Sequence, residues 1–149
     1  MKNEKQLLFH GDDVVQSPPE SALFHIIPVP FEKSVSYGGG TAQGPQAVIE
    51  SSYQLELLTN GRIPAEYGLH TGTPVDCTGT AEQVLKRVQE RIADTLRLKK
   101  IPVLIGGEHT ITCGIVQPLK HCHDEFGVIQ FDAHADLRDT YEDSPLSHA

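Results

Sequence analysis

The sequence predicts an α/β protein built around a parallel sheet. Three observations carry this. Apolar runs of strand length alternate with stretches of helical periodicity, which implies crossover connections and parallel strands. Two of those runs, 101–105 and 126–131, are compact and β-branched or aromatic, as expected of strands buried on both faces. Each is followed at once by a polar cluster, at the carboxyl end where open α/β sheets place their ligands.

Residues 1–21 are polar and contain Pro18-Pro19, so an irregular leader is expected there. Residues 22–149 then form a single domain. Residues 22–29 are an apolar run closed by Pro28 and Pro30 and read as the first strand. Ser36-Tyr37-Gly38-Gly39-Gly40-Thr41 must turn sharply; it reads either as a plain connector or as a loop that approaches a ligand closely. From Gly44-Pro45 the pattern becomes helical, with Val48, Ile49, Tyr53, Leu55 and Leu58 as a broad apolar stripe and Pro45 suited to the first turn. A short strand is expected over 66–70. The clearest helix covers 81–98, where Val84, Leu85, Val88, Ile92 and Leu96 recur at three- and four-residue intervals, capped by Gly79 or Thr80. A further helix is expected from about 109 to 119.

Composition narrows the function. The chain has 149 residues and a formal charge of -8, so it has no basic surface to neutralise phosphates, and nucleic acid is not expected as a partner. An acidic surface suits a cationic substrate or serves solubility alone. The longest apolar runs are only strand-sized, so no membrane segment is expected. The apolar stretch Leu7-Leu8-Phe9 is too short for a signal peptide, and Cys77, Cys113 and Cys122 follow no paired spacing. They read as reduced thiols of a cytoplasmic protein. His121-Cys122-His123 reads as a solvated loop, because adjacent side chains diverge.

The chemistry concentrates in Gly106-Gly107-Glu108-His109-Thr110 and Asp132-Ala133-His134-Ala135-Asp136. In extended backbone, residues two apart project to the same side, so Asp132, His134 and Asp136 can converge. Two carboxylates and an imidazole make a hard oxygen and nitrogen donor set suited to Mn, Mg or Fe. Gly106 and Gly107 let the chain turn and bring His109 towards the neighbouring strand end. Other readings are a polar loop whose aspartates cap a following helix, and a Gly-Gly phosphate cradle, which here lacks the further glycines and lysine of a phosphate loop.

These residues resemble the ureohydrolase family that includes arginase and agmatinase. Gly106-Gly107-Glu108-His109 is similar to its Gly-Gly-acid-His motif, and 132–136 to its Asp-Ala-His-x-Asp motif. Residues 36–45 are similar to the Gly-rich substrate-side loop. The end of the chain, with Ser147-His148-Ala149, resembles the agmatinase branch. The resemblance implies a three-layer α/β/α arginase-like fold. It implies two manganese ions, with His109, Asp132 and Asp136 on one and with Asp132 bridging to a second that His134 also binds. It makes His148 a catalytic proton shuttle. It further implies a small cationic guanidino substrate, with agmatine and water giving urea and putrescine, and a homo-oligomer at full length. Guanidinobutyrate, arginine or formiminoglutamate as substrate, or a non-catalytic paralogue that binds a longer homologue, are the alternatives. The family's second aspartate-rich motif does not occur in these residues, so the chain corresponds to the N-terminal half of that fold. It is expected to be inactive alone, to bind manganese weakly and to aggregate.

Overall fold

The structure is a computed structural model that describes residues 6–149, so the first five residues of the expected leader lie outside it. A three-stranded, fully parallel sheet forms the centre, in the order β2-β1-β3, with strands β1 (Phe24–Val29), β2 (Leu69–Thr71) and β3 (Ile101–Gly106). Phe24 is opposite both Leu69 and Ile101, and β1 pairs with β3 along its whole length up to Val29 and Gly106. The sheet lies between helix α1 (Gly44–Ser51) on one face and helices α2 (Ala81–Arg97) and α3 (Cys113–Cys122) on the other.

Period-two alternation along β1 assigns the faces. Ile27 and Val29 join Phe31, Val75, Val84, Val88, Ile92 and Ile111 in one buried cluster beneath α2. Ile26 and Pro28 point the other way, and Pro28 shares a hollow with Pro45 and Ile49 of α1. Helix α2 forms where the periodicity places it. Thr80 begins it as a capping box: its Oγ1 accepts from the Gln83 amide while the Gln83 side chain accepts from the Thr80 amide. The helix ends as Lys99 turns into the left-handed region at φ 58°.

Residues 6–21 contain no strand. They are laced instead to the free edge of β2: the amides of Phe9 and Ser17 donate to Thr71 Oγ1 and the Leu69 carbonyl, and Gln16 Oε1 accepts from the Thr71 amide. The stripe expected beyond Pro45 is cut short. Helix α1 stops at Ser51, because Ser52 Oγ turns back onto the Ile49 carbonyl and accepts the amide of His10; Leu55 and Leu58 are left exposed. The expected strand at 66–70 begins later, at Leu69, after a 3-10 turn led by Pro64. The helix expected from residue 109 opens as a 3-10 turn and becomes α-helical only at Cys113.

The largest departure is at 126–131. This run was expected to be a buried strand, yet it pairs with nothing among the described residues, and Val128, Ile129 and Phe131 are 76%, 83% and 96% exposed. Apolar, β-prone sequence makes a strand only when a neighbour completes its ladder. For the same reason β3, which among the described residues borders β1 alone, is only half-buried and leaves Ile101 exposed.

Candidate metal centre

The carboxyl end of β3 runs into Gly107, Glu108 and His109. Gly107 is required by close approach: a Cβ there would overlap the carbonyl oxygen of Phe31. The tip is fastened to β1's extension by two backbone bonds, Gly107 amide to the Val29 carbonyl at 3.0 Å and Glu108 amide to the Phe31 carbonyl at 2.9 Å. Glu108 is buried, and its carboxylate accepts from the amides of Lys33 (3.0 Å) and Ser34 (2.8 Å). The buried acid thus clamps the loop after β1 against the loop that carries His109. Glu32 does the same at the other end of the Gly-rich segment. It accepts from the amides of Gly40 and Ala42 and from Thr41 Oγ1, all at 2.8 Å, and these bonds, the Ala42 amide first, hold its pKa below the usual carboxylate range.

His109 Nδ1 lies 3.2 Å from Asp136 Oδ2 and 3.5 Å from Asp132 Oδ2. Donor atoms of these three residues all fall within 4.8 Å of one another, a spacing that suits ligation of a single cation. The pKa of Asp132 is lowered, chiefly because its carboxylate accepts from the His134 amide at 2.9 Å. An ionised Asp132 is the form a cation needs.

His134 does not join the group. Its side chain is 83% exposed and its Nδ1 faces the other oxygen of Asp132, at 3.4 Å. The expected alternation of 132–136 fails because this segment is not extended. The bond from the His134 amide to Asp132 Oδ1 bends the chain, and Asp136 sits in the left-handed region at φ 50°. Two carboxylates therefore converge through a turn, and the largely exposed imidazole between them lines the same cavity beside Asp132 but outside the three-donor group.

His148 lines the same cavity, which has a volume of about 840 Å³ and is also lined by Ser36, Thr41, Arg138 and Tyr141. Its Nε2 is 3.0 Å from Ser36 Oγ and its Nδ1 3.3 Å from Ser34 Oγ. The structure thus brings His109, Asp132, His134, Asp136 and His148 to one cavity at the carboxyl end of the sheet, with His134 outside the three-donor group.

Residues 22–149 match the arginase family. The chain belongs to that family. It is 37% identical over 136 residues to an N(1)-aminopropylagmatine ureohydrolase of Thermus thermophilus, covering 89% of this chain and 46% of that protein. It is 30% identical over 147 residues to an agmatinase of Bacillus cereus, covering 95% and 50%. Among solved structures, an agmatine ureohydrolase of Thermoplasma volcanium superposes with a TM-score of 0.83 at 26% identity, over 92% of this chain and 46% of that one. The arginase-like α/β/α fold is therefore shared, and the chain spans about half the length of the curated relatives it matches. No helix among the described residues is long and apolar enough to cross a membrane.

Sequence reasoning quoted Glu108 and Ser36 within their motifs without giving them a role, and did not single out Ser34 or Tyr141. Two signals were present: an acid directly before the His109 ligand candidate, and serines two apart in the loop after β1, the spacing that places side chains on one side.

Proposed function

We propose that this chain carries the cation-binding half of a ureohydrolase that cleaves a guanidino C–N bond, with agmatine as substrate and urea and putrescine as products. The convergence of His109 Nδ1 with the carboxylates of Asp132 and Asp136 is the observation that supports this reading most directly. The donors fit one divalent cation such as manganese: all are oxygen or nitrogen, two are anionic, and no sulfur is among them. For a second ion, Asp132 and His134 offer too few donors for near-octahedral coordination. When bound, manganese supplies the charge that makes water a nucleophile near neutral pH.

The chain's own residues do the rest. The carboxylates of Asp132 and Asp136 line the cavity and give it a negative charge that attracts a guanidinium cation. His148, which lines the same cavity, is the group that hands a proton to the departing amine, as a general-acid imidazole can. The Gly-rich loop, tied by Glu32, closes one side. A homo-oligomer at full family length and a cytoplasmic location belong to the same reading. A longer polyamine substrate is the second reading, favoured by the 37% identity to a protein named for N(1)-aminopropylagmatine.

The test measures urea release from both compounds with manganese present. It uses the chain alone and a chimera joining the chain to the remaining half of the Bacillus cereus agmatinase. Turnover by the chimera that disappears on His148→Ala and Asp136→Asn supports the proposal, and the chain alone is expected to release none. A folded, manganese-loaded chimera that releases no urea from either compound overturns it.

A further inference from the structure

Both ring nitrogens of His148 meet hydroxyl groups, and each hydroxyl is backed by another. Ser34 Oγ stands between His148 Nδ1 (3.3 Å) and Thr110 Oγ1 (3.2 Å); Ser36 Oγ stands between His148 Nε2 (3.0 Å) and the Tyr141 hydroxyl (2.6 Å). The Tyr141 ring meets the imidazole edge to face, with centroids 5.2 Å apart and planes at 76°. The inner end of this arrangement is anchored. Thr110 is buried, and the Ser34 backbone is fixed by the buried Glu108 carboxylate. No carboxylate touches the imidazole among the contacts of the described residues, so nothing fixes one tautomer by charge.

A hydroxyl both donates and accepts, which makes the chain of bonds reversible. When Nε2 is bare, Ser36 donates to it and accepts from Tyr141. When Nε2 carries a proton, it donates to Ser36, which then donates to Tyr141. Ser34 and Thr110 permit the same reversal at Nδ1. We infer that Ser34, Ser36 and Tyr141 are positioning residues that form a hydroxyl cradle, holding the His148 ring in one orientation whether it is neutral or protonated. An acid–base group must serve in both states, and a partner that suited only one would release the ring once in every cycle. The role served by His148 rests on the ureohydrolase reading; the cradle itself is a property of the folded chain.

The test uses NMR on the dilute 149-residue chain without metal or substrate. It reads the Tyr141–His148 ring–ring nuclear Overhauser effect above and below the titration of His148. The contact is expected to persist on both sides. Ser36→Ala should weaken it about fivefold, the population change that one net hydrogen bond is worth. Tyr141 is retained in that variant, so its ring remains the reporter, and Ser36→Thr should restore the contact. Ser144→Ala is the control. It removes the Ser144 Oγ bonds to Leu146 in the same segment without touching the imidazole, and it should leave the contact intact. An unchanged contact in Ser36→Ala, an equal loss in Ser144→Ala, a failure of Ser36→Thr to rescue, or loss of the contact on one side of the titration would each overturn the inference. Because no turnover is read, a chain or chimera that hydrolyses no guanidine leaves this result standing on its own.

Discussion

Replacing Gly107 by alanine perturbs both the fold and the site, at a point where the contact is with backbone and nothing can rotate away. The new Cβ would overlap the Phe31 carbonyl oxygen and lie 3.0 Å from its carbonyl carbon. The β3 tip must then move away from β1's extension. That stretches the Gly107-to-Val29 and Glu108-to-Phe31 bonds, now 3.0 and 2.9 Å, and pulls the Glu108 carboxylate off Ser34. Overpacking costs about 1–3 kcal/mol, and each buried bond disturbed adds about 1 kcal/mol, so a loss of roughly 3–5 kcal/mol is expected. This is a large share of the roughly 5–15 kcal/mol by which domains are stable. Gly106→Ala is the matched comparison. There the clash is with the terminal methyl of the Ile111 side chain, which yields more readily than a backbone carbonyl, so a smaller loss of about 1–2 kcal/mol is expected. Urea denaturation of the three proteins measures both changes. If Gly107→Ala is no less stable than Gly106→Ala, the close approach does not hold the β3 tip in place, and the geometry of His109 that depends on it is in error.

Three further outcomes follow from the same contacts. His25 is buried, its Nε2 donating to the Pro19 carbonyl, and burial foremost, with His70 and Lys100, depresses its pKa below the ordinary 6.5. The unfolded chain therefore binds the proton first, so this contribution to stability is complete above 6.5 and is lost as pH falls below it. Unfolding followed between neutral and mildly acidic pH should show that loss, and His25→Gln should flatten it; an identical slope in the variant would refute the assignment. Thr80→Ala removes the capping box of α2 and should cost about 1 kcal/mol by denaturant titration, whereas no change would mean the box is idle. Ile129 and Phe131 stand exposed on backbone that pairs with no strand among the described residues, so the chain should self-associate with rising concentration, and Ile129→Lys should reduce this in sedimentation experiments; equal association would locate the sticky surface elsewhere.

What was legible in the sequence was what local chemistry decides. The apolar spacing and Thr80 cap set α2 with no distant partner, and the compact run before Gly106 became β3 because β1 is there to complete its ladder. Residues 126–131 carried an equally good strand signal and still formed no ladder, since pairing depends on a neighbour that these residues do not specify. At the site, the identity of His109, Asp132 and Asp136 was readable, but the reason for their convergence was not. Alternation predicted three inward side chains, while the Asp132 carboxylate captured the His134 amide and bent the segment. The Glu108 clamp and the serines around His148 join residues more than seventy positions apart, and no local pattern encodes such contacts.

Manganese titration of the metal-free chain, followed by electron paramagnetic resonance, tests the central arrangement most directly. One weak site is expected, with affinity falling at least about tenfold in His109→Ala and Asp136→Asn. His134→Ala should change it far less, because that ring lies outside the three converging donors. Undiminished binding in His109→Ala, or a loss in His134→Ala as large as in Asp136→Asn, would show that the cation is held by some other set of side chains.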